Sequence, residues 1–246
     1  MRRAPNTLTF IQVIRRLKEG RNPRNIAGMK RFGITGKKRL GLSMPHLRSL
    51  ARDAGVSHVL ARQLWRTGIP EAMIVASLVD DPSEVTSAQM DSWVNDLESW
   101  DVCDQLCMNL FRKSPLAWQK IKAWSGREEE FVKRAAFALL ACLAVHDDSV
   151  DDAKIIRSLL PIRRAAADER NFVKKAVSWA LRSIGKRNLR MRSEALKTAR
   201  TLKLRPSAPA RWIAADAIRE LERLPVPRQV TFRQGHRRKR SREKES

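Results

Sequence analysis

A five-residue segment recurs in this chain at a spacing that few architectures use. Phe131-Val132-Lys133-Arg134-Ala135 returns as Phe172-Val173-Lys174-Lys175-Ala176, 41 residues further on. Ala180-Leu181-Arg182 is echoed by Ala217-Ile218-Arg219 at a separation of 37. A period of about 40 residues belongs to helix-pair repeats of the HEAT and armadillo kind. One such pair cannot bury its apolar face alone, so neighbours stack into a continuous core. The alternative for three degenerate copies is an irregular helical bundle.

Local signals agree on helix. Ala, Leu, Arg, Glu and Lys are abundant, and period-two runs of Val, Ile and Thr are scarce. Phe10, Val13, Ile14 and Leu17 share one face and predict a helix over residues 7–19. Residues 20–43 hold half of the 10 glycines and read as loop with one short helical piece. From there helices follow one another. Pro45 opens one at its first position, and Gly55 and Gly68 stand where helices stop. Further helices are predicted for 70–78, 87–97, 100–111, 115–124, 130–145, 150–159, 171–185, 189–202 and 208–224. The expected fold is an all-α, right-handed, HEAT/armadillo-like α-solenoid of stacked antiparallel helix pairs over residues 1–226. The remainder, 227–246, lacks apolar periodicity and reads as a disordered basic tail, with eight Lys/Arg and two Glu in its last 19 residues.

Charge narrows the partners. The 246 residues carry 50 Lys+Arg against 26 Asp+Glu, a formal net charge of +24. The field of such a chain attracts polyanions. The longest apolar run, Ala135 to Val145, is too short to span a bilayer and reads as a buried core helix. Arg15 and Arg16 interrupt any secretory pattern near the start. Three cysteines without a short-spaced framework argue against a disulfide-stapled domain. A reducing, cytoplasmic setting is therefore expected. The expected partner is nucleic acid rather than membrane, and the expected state a monomer, nucleoid-associated when bound.

Three segments could carry chemistry. In Ser99-Trp100-Asp101-Val102-Cys103-Asp104-Gln105, a helix places Trp100 and Asp104 on one face at i, i+4. Trp179 lies in a second helix flanked by Lys174, Lys175, Arg182, Lys186 and Arg187. Lys133 and Arg134 open an apolar helix. A carboxylate can stabilise a developing cation and orient a water. An indole face stabilises the same cation through its quadrupole, and basic side chains hold phosphates. The set suits cleavage of an N-glycosidic bond, whose transition state is oxocarbenium-like. Helical tryptophans ordinarily serve packing, and a lone helical Asp is ordinarily solvated, so spacing alone defines no enzyme. Cys103, Cys107, Cys142 and His146 sit at i, i+4 pairs that could form a Cys₃His zinc site, but they lack the CxxC knuckle, and buried thiols with a helix-end His are the plainer reading. Gly33-Ile34-Thr35-Gly36-Lys37-Lys38 lacks the spacing of a phosphate loop. No metal or organic cofactor is expected.

Taken in order, several segments resemble the AlkD-type DNA alkylation repair glycosylases, a HEAT-like repeat family. They are Met29-Lys30-Arg31-Phe32-Gly33-Ile34, Gly41 to Arg48, Leu64-Trp65 followed by Glu71-Ala72, Trp100 to Asp104, Phe131 to Ala135, and Lys174 to Arg182. The resemblance covers roughly residues 8–224, and Trp-Asp-x-x-Asp and Trp-Ala-Leu-Arg are its most specific parts. It implies excision of positively charged N-alkylated purines, of the N3-methyladenine and N7-methylguanine class, from duplex DNA without flipping the base. It implies Asp104 as the catalytic carboxylate and Trp100 and Trp179 as the indoles against the lesion's sugar. Arg134 is implied as a backbone-holding residue, joined by Lys133, Lys174, Lys175, Arg182, Lys186 and Arg187. Asp101 is an additional carboxylate turned about 100° from Trp100 on a regular helix. A non-catalytic nucleic-acid-binding scaffold of the same fold is the alternative.

Overall fold

The computed structural model describes residues 8–225. The basic tail read from the sequence at 227–246 lies outside the described residues. Within them all regular structure is helical. The first part comprises α1 (Phe10–Glu19), α2 (Pro23–Met29), α3 (Met44–Ala54), α4 (His58–Arg66), α5 (Pro70–Val79), α6 (Ser87–Asn95) and α7 (Trp100–Asn109). The second comprises α8 (Ala117–Trp124), α9 (Glu130–His146), α10 (Asp152–Arg157), α11 (Leu159–Ala165), α12 (Asn171–Arg187), α13 (Leu189–Lys203) and α14 (Ala208–Arg223).

Polar caps set many of the starts. Thr9 and Gln12 form a reciprocal capping box at α1, which begins three residues after the sequence-predicted boundary. Asn22, Ser57, Thr86, Asn188 and Ser207 each accept from a backbone N–H of the helix they open. Gly55 closes α3 at φ +73, a conformation that a Cβ disfavours. The loop at 20–43 carries α2 and a 3₁₀ turn, Lys30–Phe32, as its helical part. Pro45 takes the second position of α3 and not the first. The sequence reading missed α11. Pro161 sits in the first turn of α11, where its missing N–H is not needed.

Helices α3, α5, α7, α9, α12 and α14 form a row in which each packs on the next. Helices α4, α8, α11 and α13 pack against members of that row, giving a HEAT-like α-solenoid. The core runs unbroken along it. Ala135 to Ala144 of α9 are all buried, so the apolar run is a core helix as expected. No helix of the described residues is long and apolar enough to cross a membrane. This row brings the N-terminal turns of α7, α9 and α12 side by side, and the candidate site is built there.

Candidate active site and nucleic-acid interface

Ser99 caps α7 in extended conformation, and Trp100 is the helix's first residue. Asp104 follows one turn later. Trp100, Asp101, Asp104, Gln105 and, from α12, Trp179 line a cavity of about 470 Å³. Its remaining walls are mostly apolar and include Met29, Ile34, Leu42, Met44, Ile74 and Met108. The structure thus brings the two indoles and the carboxylate of the sequence reading to one cavity, although 75 residues separate Asp104 from Trp179.

Two carboxylate–guanidinium pairs flank Trp100. Asp104 accepts from Arg134 at 3.1 and 2.8 Å, in the fork-to-fork geometry of a strong charged pair. Arg134 also donates to the Phe172 carbonyl at 2.6 Å, and its guanidinium lies 5.8 Å from the Trp100 ring centre. Asp101 accepts from Arg39 at 2.5 and 2.6 Å, with Ser99 bonded to both partners. Burial pushes the Asp104 carboxyl above its ordinary range, Arg134 pulls it back, and the charge of Asp101 adds to the upward push. For Arg134, burial acts downward, and Asp104 overrides it and holds the guanidinium above its ordinary value.

Two members of this site were given no role in the sequence reading. Arg39 is buried, at the point where the loop turns from exposed residues to the buried run Leu40-Gly41-Leu42. Glu71 is buried at the start of α5, where Oε1 accepts from the N–H groups of Leu40 and Gly41 at 3.0 and 2.7 Å. Its Oε2 has no hydrogen-bond partner among the described residues, and the side chain lines the cavity. The available clue was an acidic residue opening an otherwise apolar helix. Gly41 makes this contact possible: at φ +80 a Cβ would stand 2.4 Å from the Asn22 carbonyl oxygen.

The cations expected on phosphates divide sharply. Arg134 is only 5% exposed and faces Asp104. Arg187 donates to the carbonyls of Ala144, Asp147 and Val150, closing the end of α9. Arg182 pairs with Asp216 and Glu220, Lys186 with Glu220, and Lys133 with Asp168. Lys174 lies 4.9 Å over the ring centre of the exposed Trp212, and Lys175 is exposed. Neither is in an ion pair among the described residues.

The other tryptophans serve packing or hydrogen bonding. Trp65 stacks on Trp93 and donates to Asp96, Trp118 donates to Asp147, and Trp124 to Asp91. Cys103, Cys107 and Cys142 are buried, and burial raises the last two thiols, Cys142 to about 12. His146 is exposed, and among the described residues no group of three or more His, Cys, Asp or Glu side chains is arranged to hold a metal ion.

The described residues thus form a helical solenoid in which a carboxylate and two indoles line one cavity. The model of the DNA alkylation repair enzyme family matches residues 13–221, and the chain belongs to that family. No curated protein matches it. A solved structure is similar at 16% identity with a TM-score of 0.73, covering 87% of this chain and 95% of its own. That protein is described as one of "a new family of proteins related to the HEAT-like repeat DNA glycosylases with affinity for branched DNA structures". At this identity the likeness establishes the fold.

Proposed function

We propose that this DNA alkylation repair protein is a monofunctional glycosylase that excises cationic N-alkylated purines from duplex DNA without taking the base into a pocket. The observation that carries this reading is that Asp104, Trp100 and Trp179 line one cavity. In the lesion the purine ring already bears a positive charge. When the C1′–N bond breaks, its electron pair returns to the ring, and a neutral base leaves without a general acid. The charge passes to the sugar as an oxocarbenium-like cation. Asp104 stabilises that cation and positions the water that adds to C1′ and loses a proton. Two of its lone pairs meet Arg134, which leaves others for this work. The indole faces stabilise the same cation. Lys174 and Lys175 hold phosphates. In this reading the protein acts as a monomer in the cytoplasm, on the DNA itself.

The test is base release from a duplex carrying one N7-methylguanine. Wild type is expected to release the base, and Asp104→Asn to retain duplex binding while losing most release. Undiminished release by Asp104→Asn would remove Asp104 from catalysis.

One observation favours a second reading, a DNA-binding scaffold without excision. Asp104 is neutralised by Arg134 in a tight pair, and the similar solved structure belongs to proteins with affinity for branched DNA. This reading expects salt-sensitive binding with no base released from any alkylated duplex.

A further inference from the structure

Between Glu19 and Asp53 the sequence has nine Lys/Arg and no carboxylate. Two of the nine serve the fold: Arg39 pairs with Asp101, and Lys38 donates to the Thr67 carbonyl. Arg21, Arg24, Lys30, Arg31 and Lys37 are exposed, and none is in an ion pair among the described residues. In their midst Phe32 is 70% exposed. It borders a shallow pocket of about 370 Å³ whose other walls are Arg24, Asn25, Gly28, Met29 and Arg31. This pocket shares only Met29 with the Asp104 cavity.

The turn that presents Phe32 is fixed at both sides. The Phe32 carbonyl accepts the Trp100 indole N–H at 3.0 Å. Gly33, at φ +71, sits so close to the Phe172 ring that a Cβ would lie 3.2 Å from it. Phe32 therefore stands out from a turn tied to α7 and α12, directly beside the candidate active site. A large aromatic face held in solvent contributes nothing to the core, and the surrounding charge selects a polyanion.

We propose that Phe32, Arg24 and Arg31 form a second nucleic-acid site, which takes an unpaired nucleobase and its flanking phosphates. Every nucleobase has a π face, so stacking on an aromatic side chain tolerates any sequence. A base inside an intact duplex has both faces covered by its neighbours and offers Phe32 nothing. An unpaired base, at a bulge or a branch, has a face to give. Arginines suit the adjoining phosphates because their planar fork matches phosphate oxygens. Through the Trp100 bond, such a base would dock next to the cavity that takes the lesion. The inference rests on the DNA-binding part of the proposed function and is independent of excision.

The experiment uses the full chain and two duplexes of one sequence, one fully paired and one with a single bulged 2-aminopurine. Wild type is expected to bind the bulged duplex about tenfold more tightly and to quench its fluorescence by stacking. Phe32→Leu keeps apolar bulk but removes the π face; it should abolish both the quenching and the preference while paired-duplex affinity stays. Phe32→Trp should restore both. Arg24→Gln with Arg31→Gln should weaken binding and lower the salt slope by about 1 to 2. Unchanged quenching and preference in Phe32→Leu would overturn the proposal. Equal wild-type affinity for the two duplexes would also overturn it, and would leave the excision reading standing. Absence of DNA binding would overturn both.

Discussion

Both carboxylate oxygens of Asp104 face the guanidinium of Arg134, at 3.1 Å from Nε and 2.8 Å from Nη2. The catalytic candidate and a residue expected on phosphate are therefore one buried unit. Removing either partner leaves the other in a low-dielectric site without its countercharge. Asp104→Asn and Arg134→Met should each cost about 2 to 4 kcal/mol. The double variant should cost at least about 1 kcal/mol less than the sum of the two. Urea denaturation of the four proteins measures this. Additive losses would mean that the pair is not a unit.

The same pair sets a pH dependence. Asp104 serves a cationic transition state only as carboxylate, so excision should fall as pH drops through its pKa. Burial raises that pKa and Arg134 restrains it. The acidic limb of the single-turnover rate should lie above the ordinary carboxylate range, and Arg134→Gln should move it higher still. The stability linkage has the matching sign. A raised folded-state pKa favours the protonated form, so its stabilising contribution is present below the ordinary pKa and is lost as pH rises through the folded value. A limb that stays put in Arg134→Gln would show that Asp104 is not the group being titrated.

Asp168 shows the opposite sign. Hydrogen bonds from Arg170 and Lys133 hold its carboxyl down at about 2. A depressed carboxylate contributes stability above its ordinary pKa, and that contribution is lost as pH falls through the folded value. Asp168→Asn should therefore be less stable by about 1 to 2 kcal/mol at neutral pH, since part of the pair is solvent-screened. The difference should vanish near pH 2. Parallel melting curves across that range test it.

Spacing along one helix was readable in the sequence, and pairing between helices was not. Trp100 and Asp104 could be placed on a face because 3.6 residues make a turn. The period near 40 residues gave the solenoid, and with it the likelihood that Trp179 would join them had no geometric basis beyond family resemblance. The cations illustrate the limit. Arg182 reads as free within its own helix, yet it meets Glu220, 38 residues on, in α14. Ser178 meets Asp216 and Arg134 meets the Phe172 carbonyl at the same separation. A side chain between stacked repeats finds its partner about one repeat away, and a count of local charge cannot show this. Arg39 and Asp101, 62 residues apart, lie beyond even that rule.

Arg187 and Lys175 separate the two kinds of cation most cleanly. Arg187 donates to three carbonyls at and just beyond the end of α9, and its side chain is only 12% exposed. Those acceptors lie in the last turn and the following loop, where no helical N–H reaches them. Arg187→Ala should cost about 2 kcal/mol of stability. The salt dependence of duplex binding should stay as it is, because no phosphate contact is lost. Lys175 is exposed and touches none of this. Lys175→Ala should leave stability within about 0.5 kcal/mol and reduce the slope of log K against log salt by about 1. Chemical denaturation and salt titrations of both variants measure the four quantities. If Arg187→Ala lowered the slope and Lys175→Ala did not, the phosphate-facing surface would have to be redrawn around the end of α12, away from Trp100 and Asp104.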